Sequence, residues 1–158
     1  MTDQHATETH RKFMQEALAQ AKIGLAEGGV PVGAVMVEDG KIIGRGRNRR
    51  VQESNPVSHG ETDCMKNAGR RPSYANVTMY TTLSPCMMCT GTIIQFGIPR
   101  VVIGECENFA GNINFLREQG VEVILLEDPD CTAMMSQFIA EKPQLWFEDI
   151  AHEGECAP

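Results

Sequence analysis

Phe13, Ala17, Leu18, Ala21 and Leu25 recur at the three- and four-residue spacing of a helix with one buried face, and Gly28-Gly29 ends the run. Val30 to Val37 and Lys41 to Gly46 then read as two strands, with Asp39-Gly40 between them as a tight hairpin turn. A loop carrying Asn55-Pro56 leads into a short helical segment from about His59 to Ala68, closed by Gly69. Val77 to Leu83 is rich in β-formers and runs into Ser84-Pro85. With Ser84 as cap and Pro85 as first helical residue, the pattern predicts a helix to Phe96, before Gly97. Val101–Gly104 and Val121–Leu126 are short apolar runs of buried-strand type, the second interrupted only by Glu122. Asp128-Pro129 repeats the cap-and-proline start and predicts a helix through Ala140, and Pro143 opens a last short one. Alternating strands and helices after an initial hairpin predict an α/β fold: a three-layer α/β/α sandwich around a five-stranded mixed sheet. No repeat, linker or low-complexity stretch divides the chain, so residues 1–158 are expected to form one domain.

Composition adds exclusions. No run of 18 apolar residues is available for a membrane-spanning helix, and the polar segment Met1–Arg11 resembles neither a secretion signal nor a transit peptide. A cytoplasmic protein is expected. A net charge of −7 gives no general attraction to nucleic acid or anionic membranes. One local exception is Arg45, Arg47, Arg49 and Arg50, followed later by Arg70 and Arg71. A charge run of this kind reads as a solvated loop or, more sharply, as a phosphate or RNA contact. The six cysteines, at 64, 86, 89, 106, 131 and 156, do not suggest a disulfide framework in a reducing compartment. Only Cys86 and Cys89 have ligand spacing.

The chemistry concentrates in Ser58-His59-Gly60-Glu61 and Ser84-Pro85-Cys86-Met87-Met88-Cys89, each placed where a loop or strand hands over to a helix N-terminus. Two thiolates three residues apart on a first helical turn can grip one metal ion, and an imidazole from a second helix makes a third ligand. Three protein ligands leave the fourth position to water, the arrangement of catalytic zinc. The positive ends of both helices favour thiolate. Glu61, two residues from His59, need not bind metal and is placed to move protons between water and substrate. Cys-x-x-Cys alone is often structural zinc or a redox pair, and a lone histidine is more often a core residue. His-x-Glu followed about 25 residues later by Pro-Cys-x-x-Cys is far more specific and matches a zinc nucleobase-deaminase signature. A structural site with Cys64 or Cys106 as fourth ligand leaves Glu61 unexplained.

The chain resembles the cytidine/deoxycytidylate deaminase superfamily, and within it the fungal cytosine deaminase group, from Glu27-Gly28-Gly29-Val30-Pro31 to Trp146-Phe147-Glu148-Asp149-Ile150. The stretches that carry the likeness are Gly44-Arg45-Gly46-Arg47-Asn48, His59-Gly60-Glu61, Thr81 to Gly91, and Gly104 to Phe109; the 146–150 segment is specific to the group. The resemblance implies one Zn2+ per chain on His59, Cys86 and Cys89, with Glu61 as proton shuttle. It implies that Asn48 and the Gly60 backbone hydrogen-bond a base, and that Asp149 meets a ring N–H from a lid helix over about 143–150. Phe109 and Trp146 would wall the ring, and Val32 and Leu83 would line the pocket. Homodimers are also implied. On the residues alone, Trp146 reads as a core or interface aromatic, Asp149 as a surface charge and Asn48 as a turn residue.

Arg47 stands where the group tends to carry histidine, and Met87 where it tends to carry aspartate; both are expected at the rim. The tail 151–158 is expected to fray, with His152 and Cys156 a remote candidate for a second metal site. The reaction implied is cytosine to uracil and ammonia, as in pyrimidine salvage, with Glu61 serving N3 and then the departing amine. Rivals are the same chemistry on guanine or a related purine base, on adenosine in tRNA, or a structural-zinc binding module without catalysis.

Overall fold

The computed structural model describes residues 4–151, with side chains from residue 7. Eleven elements follow one another: α1 Gln4–Ala26, β1 Gly33–Glu38, β2 Lys41–Arg47, α2 Gly60–Ala68, β3 Val77–Thr81, α3 Met87–Gln95, β4 Arg100–Ile103, α4 Ile113–Glu118, β5 Glu122–Leu125, α5 Pro129–Glu141 and α6 Pro143–Asp149. The five strands form a single sheet in the order β2-β1-β3-β4-β5. β1 is antiparallel to β2 and β3, whereas β3, β4 and β5 run parallel. The expected mixed five-stranded sheet is therefore present. The tail from residue 152, including His152 and Cys156, lies outside the described residues.

Three apolar clusters set the layers. Ala34 and Met36 of β1, Met79 of β3, Val101 and Ile103 of β4 and Val123 of β5 face α2, α3 and α4. The alternate residues Val35, Val37, Tyr80 and Val102 face α1 and α5. Strand residues buried on both faces explain why β1, β3 and β4 read as continuous apolar runs rather than alternating ones. The third cluster, Val30, Val32, Leu83, Met135, Phe138 and Trp146, lies beyond the strand ends and is closed by α6.

The tight turn is as expected: Asp39 (φ 51°) and Gly40 (φ 76°) both occupy the left-handed region, the two-residue type I′ geometry that matches strand twist. Asp128 caps α5 by accepting hydrogen bonds from the backbone N–H groups of Asp130 and Cys131, with Pro129 first in the helix. Three expectations need correction. Leu25 is largely exposed, because the buried face of α1 runs through Met14, Ala17 and Ala21 and turns Gly24 toward the backbone oxygens of Val30 and Asn48. The first strand begins at Gly33 rather than Val30, since residues 30–32 belong to the cluster at the sheet end. α4 was not expected at all: it has six residues, and Leu116 is its one fully buried side chain.

β2 carries Gly44 and Gly46, and α2 lies directly on them. A Cβ at Gly46 would meet the Cα of Cys64 and the carbonyl oxygen of Gly60, each at 2.6 Å. That close approach fixes the height of the first turn of α2 over the sheet. Gly46→Ala should force α2 outward and destabilise the protein by roughly 1–3 kcal/mol, the usual range for overpacking. Urea unfolding checks this, through a lowered midpoint at unchanged slope.

Candidate active site

β3 has an antiparallel neighbour on one side and a parallel one on the other, and beyond the end of such a switch a sheet leaves a crevice. The chain leaving β3 passes Leu83 and Ser84 into α3; the chain entering β1 passes Val32. Thr82 ties the two together, its N–H donating to Gly33 O (3.0 Å) and its Oγ1 accepting from Gly33 N (3.1 Å). The N-termini of α2 and α3 both open at this crevice.

His59 occupies the N-cap position of α2 in extended conformation, and its N–H donates to Thr62 Oγ1 at 2.9 Å. Cys86 occupies the N-cap of α3, so the helix begins two residues later than Ser84-Pro85 predicted. Ser84 does not cap it. Its hydroxyl instead donates to Ala110 O at 2.9 Å, a tertiary bond that holds the 104–110 loop beside the site. The two thiols thus come from the cap and the third residue of the helix rather than from one helical turn.

Nδ1 of His59 stands 3.5 Å from Cys86 Sγ and 3.7 Å from Cys89 Sγ. Among the described residues these three form the one group of histidine, cysteine or acidic ligand atoms gathered closely enough for a metal. A tetrahedral zinc with bonds of ~2.3 Å to sulfur and ~2.0 Å to nitrogen requires nitrogen–sulfur separations of roughly 3.5–3.6 Å. The spacing fits zinc. Other cysteines are elsewhere: Cys64 Sγ faces Gly44 O at 3.4 Å, and burial pushes the Cys64 and Cys131 thiols up.

The electrostatics fit a cation equally well. The hydrogen bond with Cys89 draws the Cys86 thiol down to about 4 against its burial, and the same bond, with burial, drives Cys89 well up. Burial pushes the Glu61 carboxyl up to about 7. Burial disfavours the His59 imidazolium, but the Cys86 hydrogen bond and the charges of Asp149 and Glu61 prevail and raise it to about 9. Cys86 is thus already drawn toward thiolate, while Cys89, Glu61 and His59 are each biased toward holding a proton that a dication would disfavour.

A small cavity lies against this cluster, lined by Val32, Asn48, Glu61, Leu83, Phe109 and Trp146 among others. Phe109 and Trp146 meet edge to face, ring centroids 6.0 Å apart at 86°. Trp146 is a core aromatic of the third apolar cluster and also part of the cavity wall, and the Asp149 side chain is enclosed beside it rather than a surface charge. Asp149 Oδ1 lies 3.4 Å from His59 Nε2 and accepts from Asn48 Nδ2 at 3.2 Å. A carboxylate on the far nitrogen of a metal-ligating histidine fixes its tautomer and ring orientation. Asn48, fully buried, also accepts the Arg50 N–H on Oδ1 at 3.0 Å, which leaves an amide N–H as the group it can turn to the cavity. Gly60 does not line the cavity; it packs against Val32, which does.

Sequence reasoning missed Ser84 and Ile150, which also line the cavity. It missed Glu105, whose buried carboxylate accepts the Asn108 N–H and side-chain amide, both at 3.0 Å, and so braces Phe109. The Gly104–Phe109 stretch was the available signal. Arg47 and Met87 stand away from the cavity: Arg47 grips Glu27 at 2.8 Å, and Met87 is exposed. Arg45 of the arginine run is half exposed, while Arg47, Arg49 and Arg50 are more enclosed and each of the four faces a carboxylate. Arg45 pairs with Glu16, Arg49 with Asp63 and Arg50 with Glu148.

Residues 7–105 match the sequence profile described as the cytidine and deoxycytidylate deaminase zinc-binding region. A cytosine deaminase of Candida albicans is 49% identical over 143 residues, covering 89% of this chain and 95% of that protein. A tRNA-specific adenosine deaminase of Streptococcus pyogenes is 34% identical, covering 71% of this chain and 67% of its own length. A solved structure of a guanine deaminase from Nitrosomonas europaea superposes with a TM-score of 0.68 at 21% identity, over 81% of this chain and 83% of that one, and shares the fold.

Metal content tests the ligand set. His59→Ala, Cys86→Ser and Cys89→Ser should each lose the single zinc per chain. Serine at Cys64, Cys106, Cys131 or Cys156 should leave it stoichiometric by elemental analysis of gel-filtered protein. Loss of zinc in one of the latter four would put the ligand set elsewhere.

Proposed function

The chain belongs to the cytidine and deoxycytidylate deaminase family, a zinc-binding one, and on that premise we propose that it deaminates a free nucleobase, converting cytosine and water to uracil and ammonia. The observation that carries the choice of a free base is α6. Its Trp146, together with Ile150 just beyond it, closes a small cavity, and its Asp149 turns inward to His59 and Asn48. A ribose or a nucleic-acid strand attached at N1 of the ring would collide with this lid.

His59, Cys86 and Cys89 would hold the zinc, which when bound would supply the Lewis acidity that makes water a nucleophile near neutral pH. Glu61 does the proton work. Its carboxyl is buried in the first turn of α2 beside the metal ligands, and burial pushes it upward, the direction that lets a carboxyl accept and donate protons readily. It takes the proton of the attacking water and delivers it to N3 as oxygen adds at C4, then takes the remaining proton from the C4 hydroxyl and passes it to the amine as the C4–N bond breaks, leaving the C4 carbonyl and ammonia. Asn48 donates its remaining amide N–H to the ring carbonyl. Asp149 engages His59 and Asn48 through Oδ1, and Oδ2 is the oxygen that accepts the ring N1–H. Phe109 and Trp146 sandwich the ring against Val32 and Leu83.

This reading disfavours tRNA as substrate. Arg47, Arg49 and Arg50 are each engaged by a carboxylate of this chain, which leaves the half-exposed Arg45 as a weak basis for binding phosphate. It also disfavours a structural-zinc module, since Glu61 is buried beside the ligands without being one of the metal-gathering group. A homodimer is part of the proposal. Met87, Phe96 and Phe115 are large apolar side chains exposed on the helical layer formed by α2, α3 and α4. A second copy of the chain covering that layer would bury them. Sedimentation at micromolar concentration should give about twice the chain mass, and a monomer would exclude this assembly.

Ammonia release from a panel of free bases, nucleosides and tRNA tests the substrate. Cytosine should be turned over, and cytidine should lose roughly 10⁴-fold or more in kcat/KM, as when a site built for a substrate N–H meets an analogue lacking it. Glu61→Gln should keep fold and zinc and lose on the order of 10²–10⁴-fold in kcat. Comparable turnover of cytosine and cytidine would overturn the lid as the origin of selectivity.

A further inference from the structure

We propose that Arg50 is the positioning residue that latches the lid helix α6 onto the site, setting how tightly a base is held. The proposal rests on α6 being the substrate lid. Arg45, Arg47 and Arg49 reach α1, the turn after it and α2 through Glu16, Glu27 and Asp63; Arg50 alone of the run reaches α6. Its Nη1 lies 2.8 Å from Glu148 Oε1 and its Nε 3.8 Å from Asp149 Oδ1. Its backbone N–H donates to Asn48 Oδ1 at 3.0 Å. One residue therefore orients the amide of Asn48 and grips the carboxylate that the same amide contacts.

The lid needs such a cation. Glu148 and Asp149 end a helix of seven residues, where the backbone already presents the negative end of its dipole. Two adjacent carboxylates there repel each other and the helix end unless a positive group faces both. A helix this short does not hold its own shape in water. Among the described residues, the side-chain polar contacts from α6 to other elements all run through Glu148 and Asp149, to Asn48, Arg50 and His59. Packing of Trp146 closes the other end of the helix over the cavity. With Arg50 neutralised, the end bearing Asp149 is free to lift while the Trp146 contact persists. Arg50 is mostly buried and Glu148 mostly exposed, so the inner partner should matter more than the outer one.

Hydrogen–deuterium exchange of the zinc-loaded protein without substrate, together with cytosine kinetics, tests the latch. Arg50→Gln should speed exchange of the α6 amides by about tenfold while those of α2 and α3 hold. It should raise KM for cytosine by about tenfold with kcat changed less than about threefold. Arg50→Lys should restore part of both, and Glu148→Gln should move both in the same direction by less. Wild-type exchange and KM in Arg50→Gln would overturn the proposal. So would a fall in kcat at unchanged KM, or loosening of α2 and α3 as much as α6. If Arg50→Gln unfolds, Glu148→Gln decides through α6 exchange, and wild-type protection there overturns the latch. Should the wild type deaminate none of the bases offered, the substrate reading fails, and the exchange comparison alone still decides the role of Arg50.

Discussion

Two thiols, an imidazole and a carboxyl share a buried pocket at the meeting of two helix N-termini, and no arrangement of protons on them alone is comfortable. Cys86 ionises at the expense of Cys89, Glu61 holds its proton near neutrality, and His59 is drawn toward imidazolium by the acids around it. A dication relieves the whole set at once. The rest of the fold can be understood as what holds these groups in that proximity: Thr82 joining β3 to β1, and Gly44 and Gly46 letting α2 settle onto β2. Distances of 3.5 and 3.7 Å between imidazole and thiols are then the consequence of backbone packing rather than of flexible side chains finding one another.

Around that centre the polar contacts extend in one direction. His59 leads through Nε2 to Asp149, Asp149 to Asn48, and Asn48 to the backbone of Arg50. The residues proposed to read a base are thus the same residues that orient a metal ligand. Substrate recognition and metal geometry are mechanically joined, and a disturbance of the lid reaches His59 through a single carboxylate.

Much of this was legible in the chain. Asp39-Gly40 and Asp128-Pro129 act locally, through φ preference and a side-chain cap, and both behave as their chemistry dictates. The start of α3 was not legible, because Ser84 has two uses for its hydroxyl and the structure takes the distant one, Ala110 O. α4 escaped because six residues with one fully buried side chain make no periodic signal. For the site, residue types and spacing located His59, Glu61, Cys86 and Cys89. Asn48, Asp149 and Trp146 have ordinary local contexts, and only the return of the last helix over the sheet end gives them a shared cavity.

The arginine run illustrates why charge patterns mislead when read along one segment. In a chain with 21 acidic and 14 basic residues, four arginines within six positions look like a surface meant for phosphate. Partner choice is set instead by the sheet. Arg45 and Arg47 lie on β2, the edge strand of the sheet, and the loop leaving it carries Arg49 and Arg50 past α2 to α6. A single cationic segment so placed meets carboxylates on α1, the turn after it, α2 and α6. The cations pair with acids of this chain, Arg45 at the surface and Arg47, Arg49 and Arg50 in more enclosed positions, and their spacing follows the separation of helices rather than that of phosphates. On the proposed reading, whatever reaches the cavity is selected by its walls and by α6 above it rather than by attraction to a basic surface.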